Sequence, residues 1–160
     1  MHPHRTPLRK PITLTIEVAG VPAPQGSKTV GRSASGASWV RDDNPHTAPW
    51  RATVAAAAAK AMSPGLGHTW PMLHGPVKLY AEFRFPRPKG HYRTGKAAGQ
   101  LRPAAPFHPS GRPDLDKLLR AVGDAIAGIV LVDDAQIISV SASKLYGEAG
   151  ATIRVDEIRV

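Results

Sequence analysis

The sequence predicts an α/β fold of the α+β type: a single domain on a mixed β-sheet, with elements in the order β-α-β-α-β-β and a long basic loop. Three observations predict it. Apolar and polar side chains alternate with period two in four stretches, as in strands with one buried face. Between these lie an alanine-dense stretch and one with apolar residues three and four apart, both helical signals. A chain of 160 residues can bury one core and is too short for two comfortable ones, so residues 12–160 are expected to form one unit. Residues 1–11 are basic and proline-bearing and read as a disordered tail.

The first strand covers residues 12–18, where Ile12, Leu14, Ile16 and Val18 alternate with Thr13, Thr15 and Glu17. Gly20, Pro22, Pro24 and Gly26 then break regular structure, and the Ser-, Gly-, Asn- and Asp-rich segment to Pro49 reads as loop. Residues 48–62, dense in alanine with Trp50, Val54 and Met62, predict the first helix, ended by Pro64. Val77, Leu79, Ala81, Phe83 and Phe85 alternate with Lys78, Tyr80, Glu82 and Arg84 as the second strand, which stops at Pro86. From Pro86 to Pro113 no period is visible. A loop that long is usually functional or disordered, and its charge fits a flap over DNA.

The second helix starts at Pro113 or Asp114, with Asp114 expected to cap the free amides or favour the positive dipole end. Leu115, Leu118, Leu119, Val122 and Ile126 form its apolar face, and Gly128 is its stop. Residues 129–132 are expected to run extended to Asp133 and Asp134. In the third strand Ile138, Val140 and Ala142 alternate with Ser139, Ser141 and Ser143. After a turn at residues 147–150, the fourth carries Ile153 and Val155, and these two strands are expected to form an antiparallel hairpin.

Composition narrows the function. With 42% hydrophobic and 21% charged residues, the chain has an ordinary globular composition. No run approaches the roughly 20 apolar residues that cross a bilayer, and no signal-peptide pattern follows the basic start, so no membrane partner and a cytoplasmic location are expected. Cysteine is absent, which excludes disulfides and thiolate metal sites and leaves oxygen or imidazole ligands. The 21 Lys and Arg against 12 Asp and Glu give a net charge of +9, a field that attracts polyanions. Nucleic acid is the leading partner and a merely solubilising surface the alternative. Nine cations fall between Arg84 and Arg120, with only Asp114 and Asp116 opposing them.

Five of the 12 acids nonetheless cluster between Asp114 and Asp134: these two, Asp116, Asp124 and Asp133. Residues two apart do not share a helical face, so Asp114 and Asp116 converge only if the first lies at the cap or in the extended segment before it, an arrangement that Pro113 permits. A carboxylate cluster suits Mg²⁺, which prefers oxygen ligands and keeps waters for a substrate phosphate. Asp-x-Asp at a helix start is commonly just a cap, and Asp-Asp in a loop often a solvated turn, so the pattern alone does not establish a metal site.

Gly-Arg-Pro-Asp-Leu-Asp-Lys-Leu-Leu-Arg-Ala-Val at 111–122, followed by Asp-Asp-Ala-Gln-Ile at 133–137, resembles the paired motifs of the RusA family of crossover-junction endodeoxyribonucleases, the Holliday-junction resolvases. Phe-Arg-Phe-Pro-Arg-Pro-Lys-Gly-His-Tyr at 83–92 resembles the phage-borne branch. The resemblance runs from Val77 to Ile158 and, more weakly, through the first strand and the loop from Pro22 to Lys28. It implies a RusA-like fold and a Mg²⁺-dependent enzyme, with Mn²⁺ as a substitute and no organic cofactor. Such an enzyme resolves four-way junctions or related branched DNA by phosphodiester hydrolysis, in recombination, repair or phage DNA processing.

By position, the resemblance implies that Asp114, Asp116 and Asp134 are the catalytic, metal-binding carboxylates, with Asp133 a lesser candidate beside them. Arg120 falls where the family often has a catalytic-site lysine; an arginine keeps its proton, so it can stabilise phosphate charge but cannot act as an acid. A homodimer is implied, because two symmetry-related sites can nick opposing strands, acting in the host cytoplasm if phage-encoded. The alternatives are a non-catalytic basic DNA-binding module and a nuclease that prefers flaps or forks.

Contacts to DNA are assigned to Lys28, Arg87, Lys89, Arg93, Lys96, Arg102, Arg112 and Lys117. Lys28 reads equally as a solvated loop cation, and Lys117 equally as a partner of Asp114. Glu82 reads as a neighbour of the metal or, more simply, as a partner of Lys78 or Arg84. His91 and His108 lack metal-ligand spacing. Tyr92 and Phe107 read as base-stacking groups or as pins of their own loop, and Asp124 as a salt-bridge partner one turn after Arg120.

Overall fold

In the computed structural model, which describes residues 10–42, 44–65 and 67–159, without the side chains of positions 28, 41 and 42, the first alternation becomes β1 (Thr13–Ala19). It buries Leu14, Ile16 and Val18 and exposes Thr13, Thr15 and Glu17. Most of the predicted tail, residues 1–9, lies outside the described residues. There follow β2 (Lys28–Arg32), β3 (Ser38–Asp42), α1 (Thr47–Met62), β4 (Val77–Phe85), α2 (Leu115–Ile126), β5 (Ile137–Tyr146) and β6 (Gly150–Glu157). The fold is the predicted mixed sheet with helices.

The four-stranded sheet has the order β1-β6-β4-β5, with β4 and β5 parallel and the other neighbours antiparallel. The expected hairpin of the last two strands is therefore not formed. The chain leaves β5 at Tyr146, crosses the end of β4, where the Gly147 N–H donates to the Phe85 carbonyl at 2.9 Å, and returns as β6 on the other side. Burial accounts for the difference. Ala151, Ile153 and Val155 are wholly buried and need neighbours on both sides, whereas β5 exposes Ile138, Ser139, Val140 and Ser141 and tolerates the edge. At Gly150 a Cβ would stand 2.6 Å from the Val18 carbonyl oxygen, so a side chain there would force β6 away from β1.

Both helices cover one face of this sheet. α1 buries Thr47, Trp50, Val54, Ala58 and Met62, spaced three and four apart, while α2 buries Leu118, Ala121, Val122, Ala125 and Ile126. With Leu79, Ala81 and the fully buried Phe83 of β4 they make one core. Truncating a side chain such as Phe83 to Ala costs about 3–5 kcal/mol. The opposite face is open and polar. There the Arg154 guanidinium lies 4.0 Å from the Tyr80 ring centre, and Arg84 donates to Glu82 at 3.1 Å and to Thr152 at 2.7 Å. Glu82 is thus a partner of Arg84, on the face turned away from α2.

Two other expectations are corrected. The segment read as loop before α1 contains the β2–β3 ribbon, whose Val30, Trp39 and Val40 are exposed; a ribbon that buries no face leaves no alternation to read. Residues 129–132 do not run extended. They double back in a tight turn in which the Val130 N–H reaches the Ile126 carbonyl at 2.9 Å and Leu131 bridges to Leu73, with Val130 and Leu131 fully buried. Among the described residues, no helix is long and apolar enough to cross a membrane.

The basic segment 86–113 carries 3₁₀ turns at Lys89–His91 and Gly95–Ala97. An isolated antiparallel bridge joins Tyr92 and Leu101, with Arg93 N–H on the Gln100 carbonyl at 2.8 Å and Arg102 N–H on the His91 carbonyl at 2.9 Å. Arg87 lies 4.1 Å from the Tyr146 ring centre and donates to the Pro106 carbonyl at 2.6 Å, fastening this flap to β5.

Candidate active site

Asp114 ends the segment that enters α2. It stands at the N-cap position with an extended backbone (φ −69°, ψ 137°), as the motif requires, but its side chain makes no capping bond, which leaves the dipole end as its share of the two expected roles. It faces Lys117 instead, Nζ to Oδ2 at 3.5 Å, with both side chains about half exposed, so the pairing is a weak surface one. The entry is fixed from the far edge of the sheet. Lys144 on β5 donates through Nζ to the carbonyls of Gly111 at 2.7 Å and Pro113 at 2.9 Å, across the cis Arg112–Pro113 peptide.

Asp134 is placed by its neighbours. Asp133 Oδ1 accepts from Ala135 N–H at 2.8 Å and Gln136 Oε1 from Asp133 N–H at 2.9 Å, a reciprocal cap of the 3₁₀ turn Asp134–Gln136. The same Gln136 amide donates to the carbonyls of Leu73 at 2.9 Å and Gly75 at 2.8 Å, tying the turn to the chain ahead of β4. Because the chain doubles back directly after α2, Asp134 returns beside Gly123 near the helix end. At about 1.5 Å per residue that is roughly 13 Å along the axis from Asp114 and roughly 10 Å from Asp116. The three acids thus stand at separate levels along α2. Among the described residues, no three His, Asp or Glu side chains group closely enough to hold a metal by themselves.

The helix joins the two ends with a charged stripe. Asp114, Lys117, Arg120 and Asp124 follow one another at three- and four-residue steps and face the loop after β1. Two cavities lie between. One of about 350 Å³ is lined by Gln25, Gly26, Ser27, Lys117, Arg120, Asp124 and Asp134. The other, of about 320 Å³, is lined by Pro24, Gln25, Gly26, Arg112, Pro113, Asp114 and Lys117. The loop is held to the helix by the Gln25 N–H on the Lys117 carbonyl at 2.9 Å. Gln25 is only 7% exposed, and its Oε1 is buried without a hydrogen-bond partner. An acceptor left in that state costs about 1–3 kcal/mol.

The expected residues thus divide. Asp134, Arg120 and Lys117 share the first cavity; Asp114, Arg112 and Lys117 share the second; Asp116 is exposed on the first turn of α2 and lines neither. Asp133 uses an oxygen in its cap. In the flap, Lys89, Arg93 and Lys96 are exposed, while Arg87 and Arg102 are engaged within it, Arg102 Nε donating to the Tyr92 carbonyl at 2.9 Å. The Lys28 side chain lies outside the described residues. His91 packs edge-on to Tyr146, and Phe107, 83% exposed, meets the His108 ring edge-on with centroids 5.0 Å apart.

Sequence reasoning missed Gln25 and Lys144, for which no pattern speaks. It also left Asp124 as a salt-bridge partner. Asp124 does pair with Arg51 of α1, at 3.8 Å, but its place four residues after Arg120 also sets it on the cavity wall with Asp134. All these carboxylates and the orphaned Gln25 carbonyl are oxygen donors. That chemistry fits a hard divalent ion, which is content with one or two carboxylates and keeps several waters.

Fold and site together define a basic α+β protein whose carboxylates are set among lysines and arginines along one helix. Residues 19–156 match the family model of endodeoxyribonuclease RusA, and the chain belongs to that family. It is also similar to a protein of Bacillus subtilis (strain 168) called uncharacterized protein YqaN, 27% identical over 77 residues. That match covers 48% of this chain and 54% of the relative, so the chain spans about half the length of the curated relative it matches.

Proposed function

We propose that this protein is a divalent-metal-dependent endodeoxyribonuclease that cuts branched DNA, with the four-way junction as its principal substrate, and that it works as a homodimer. The observation that carries the reading is the cavity in which Asp124 and Asp134 stand opposite no other acids but beside Lys117 and Arg120, in a chain of the RusA family. Asp134 would hold Mg²⁺ or Mn²⁺ in that cavity, and Asp114 and Asp116, its partners by family position, would have to draw closer to it along α2 as the ion and the substrate phosphate bind. When bound, the ion supplies neutralisation of charge on the phosphoryl oxygens and a lowered pKa for the attacking water.

The chain's own groups do the rest. Lys117 and Arg120 bind the non-bridging oxygens of the phosphodiester, and Arg120 stays protonated while the P–O bond breaks. The flap cations Lys89, Arg93 and Lys96 hold the backbone away from the cut. Lys144 and the Asp133–Gln136 cap keep the two acid-bearing segments in place.

A second reading, a DNA-binding module without catalysis, draws on the separation of Asp114 from Asp134 and on the capping use of Asp133. Cleavage of synthetic four-way junction, fork, flap and linear duplex with Mg²⁺, with Mn²⁺ and with chelator decides between them. Paired nicks in the junction that vanish with chelator are the expected result. Tight junction binding without nicks under any ion would establish the second reading, and fork or flap cleavage ahead of junction would replace the substrate.

A further inference from the structure

The β2–β3 ribbon belongs neither to the core nor to the carboxylate site. Its strands close in a tight turn, where the Ser33 N–H and Oγ both donate to the Ala37 carbonyl, at 2.9 and 3.2 Å, and they leave Val30 69% and Val40 62% exposed. The two valines are cross-strand partners and so share one face, with Arg32 two positions further along it. On the other face the Trp39 ring lies over Gly31, where a Cβ would collide with it. A two-stranded ribbon that buries no face is marginal in water by itself, and paired valines turned to solvent are a surface for a partner.

Resting on the branched-DNA reading above, we propose that the ribbon is an arm that lies in the major groove of a duplex beside the branch, with Val30 and Val40 against base edges and Arg32 on the backbone. Three points support this. Charge selects the occupant. Beyond its base, where Lys28 and Asp42 are paired in register, the ribbon carries Arg32 and Arg41 and no acid, so a polyanion fits it and a second copy of the ribbon would meet it with like charge. Size selects the groove: the major groove, about 12 Å wide, admits a two-stranded ribbon, whereas the minor groove, about 6 Å wide, does not. Strands of five residues run about 17 Å, the length of about five base pairs. Thymine methyl groups in that groove are apolar partners for valine. Position ties the arm to the cut, because the ribbon starts at Lys28, directly after Gln25, Gly26 and Ser27 of the cavity wall shared with Arg120 and Asp134.

The test binds the full chain to a synthetic four-way junction without divalent ions, so that no strand is cut, with thermal melting as the fold control. Val30→Asp with Val40→Asp sets negative charge on the exposed face without touching the core. Its junction dissociation constant is expected to rise at least about tenfold, with the melting temperature kept. The wild type is expected to protect guanine N7 atoms, which lie in the major groove, from dimethyl sulfate over about five base pairs of an arm. The double variant is expected to lose that stretch even at saturating protein. Arg32→Gln is expected to lower the log-log salt slope by about one unit. If the double variant does not fold, Val30→Ser with Val40→Ser takes its place, with the same loss of protection expected.

Wild-type affinity and wild-type N7 protection in a folded double variant overturn the proposal. So does protection confined to adenine N3, in the minor groove. So does a double variant whose light-scattering mass falls from two chains to one before DNA is added, because the valines then join two copies. A chain that binds through the ribbon but cuts no branched DNA under any ion would refute the nuclease reading and leave the arm standing. A chain that cuts junctions with affinity and protection indifferent to the ribbon would do the reverse.

Discussion

Asp134 passes the one position of α2 that has no side chain to obstruct it: a Cβ at Gly123 would lie 3.7 Å from the Asp134 Cβ and 3.8 Å from its Oδ2. Those are ordinary contact distances, so a methyl group fits and nothing larger does without moving the carboxylate. Gly123→Ala should stabilise the fold by about 0.5–1 kcal/mol through helix propensity and leave junction cleavage close to wild type. Gly123→Leu should keep the helix and lower cleavage at least tenfold. Urea denaturation and cleavage rates check both, and a fully active Gly123→Leu would remove Asp134 from the site.

The two adjacent acids should behave differently although the sequence writes them as a pair. Asp134→Asn should abolish cleavage while folding and junction binding survive, and binding should tighten, since a carboxylate facing phosphate is repulsive when no ion intervenes. Asp133→Ala should instead cost about 0.5–2 kcal/mol of stability through the lost cap, with a smaller loss of cleavage. Denaturation curves with cleavage rates at saturating Mg²⁺ separate ligand from cap. The assignment fails if Asp133→Ala is the inactive variant and Asp134→Asn the active one.

Lys144 links the sheet edge to the entry of α2, and its two bonds go to carbonyls two residues apart on the way to Asp114. Removing a charged donor from two acceptors costs about 1.5–3 kcal/mol per bond at most, less where water replaces it. Lys144→Met should therefore lower the melting temperature and speed protease nicking near residues 108–113, with cleavage of DNA reduced through the displaced Asp114. An unchanged nicking pattern would leave the clamp without consequence.

How much of this was legible in the sequence follows from what each element buries. β4, with Val77, Leu79, Ala81 and Phe83 buried on one face, shows a period of two because each of those side chains has a core to enter, and α2 shows its stripe for the same reason. β2 and β3 enter no core, so their residues obey no period. The misplaced hairpin has another cause. A turn at 147–150 is compatible with β6 beside β5 or beyond β4, and the choice is made by the burial of Ala151, Ile153 and Val155 among strands distant in sequence. At the site, the acids could be found because carboxylates are rare in this chain. Their separation could not, because it follows from the turn at 129–132, where Val130 and Leu131 fold back under the helix.

Assembly can be weighed directly. The proposed pair of symmetry-related cuts requires two chains, so light scattering should return about twice the 17.0 kDa of one chain. A monomer at working concentration that still makes paired nicks would overturn the dimer.

The last prediction concerns the flap, where the cations differ in what their charge is free to do. Arg87 is stacked on Tyr146 and bonded to the Pro106 carbonyl, so its guanidinium serves the flap's own attachment. Lys89, Arg93 and Lys96 are exposed and available to phosphate. Backbone contacts act through counterion release, so junction affinity should fall with salt by a log-log slope of about 0.9 per duplex phosphate neutralised. Changing Lys89, Arg93 and Lys96 together to Gln should lower that slope by up to about three units. Arg87→Gln should leave the slope nearly unchanged but raise protease sensitivity across residues 86–113. Junction affinity across a salt series, with circular dichroism to confirm the fold, distinguishes the two roles. If the triple variant binds with the wild-type slope, the flap is not the DNA grip, and the cations of the α2 stripe, Lys117 and Arg120, must carry the backbone with Arg32 of the ribbon.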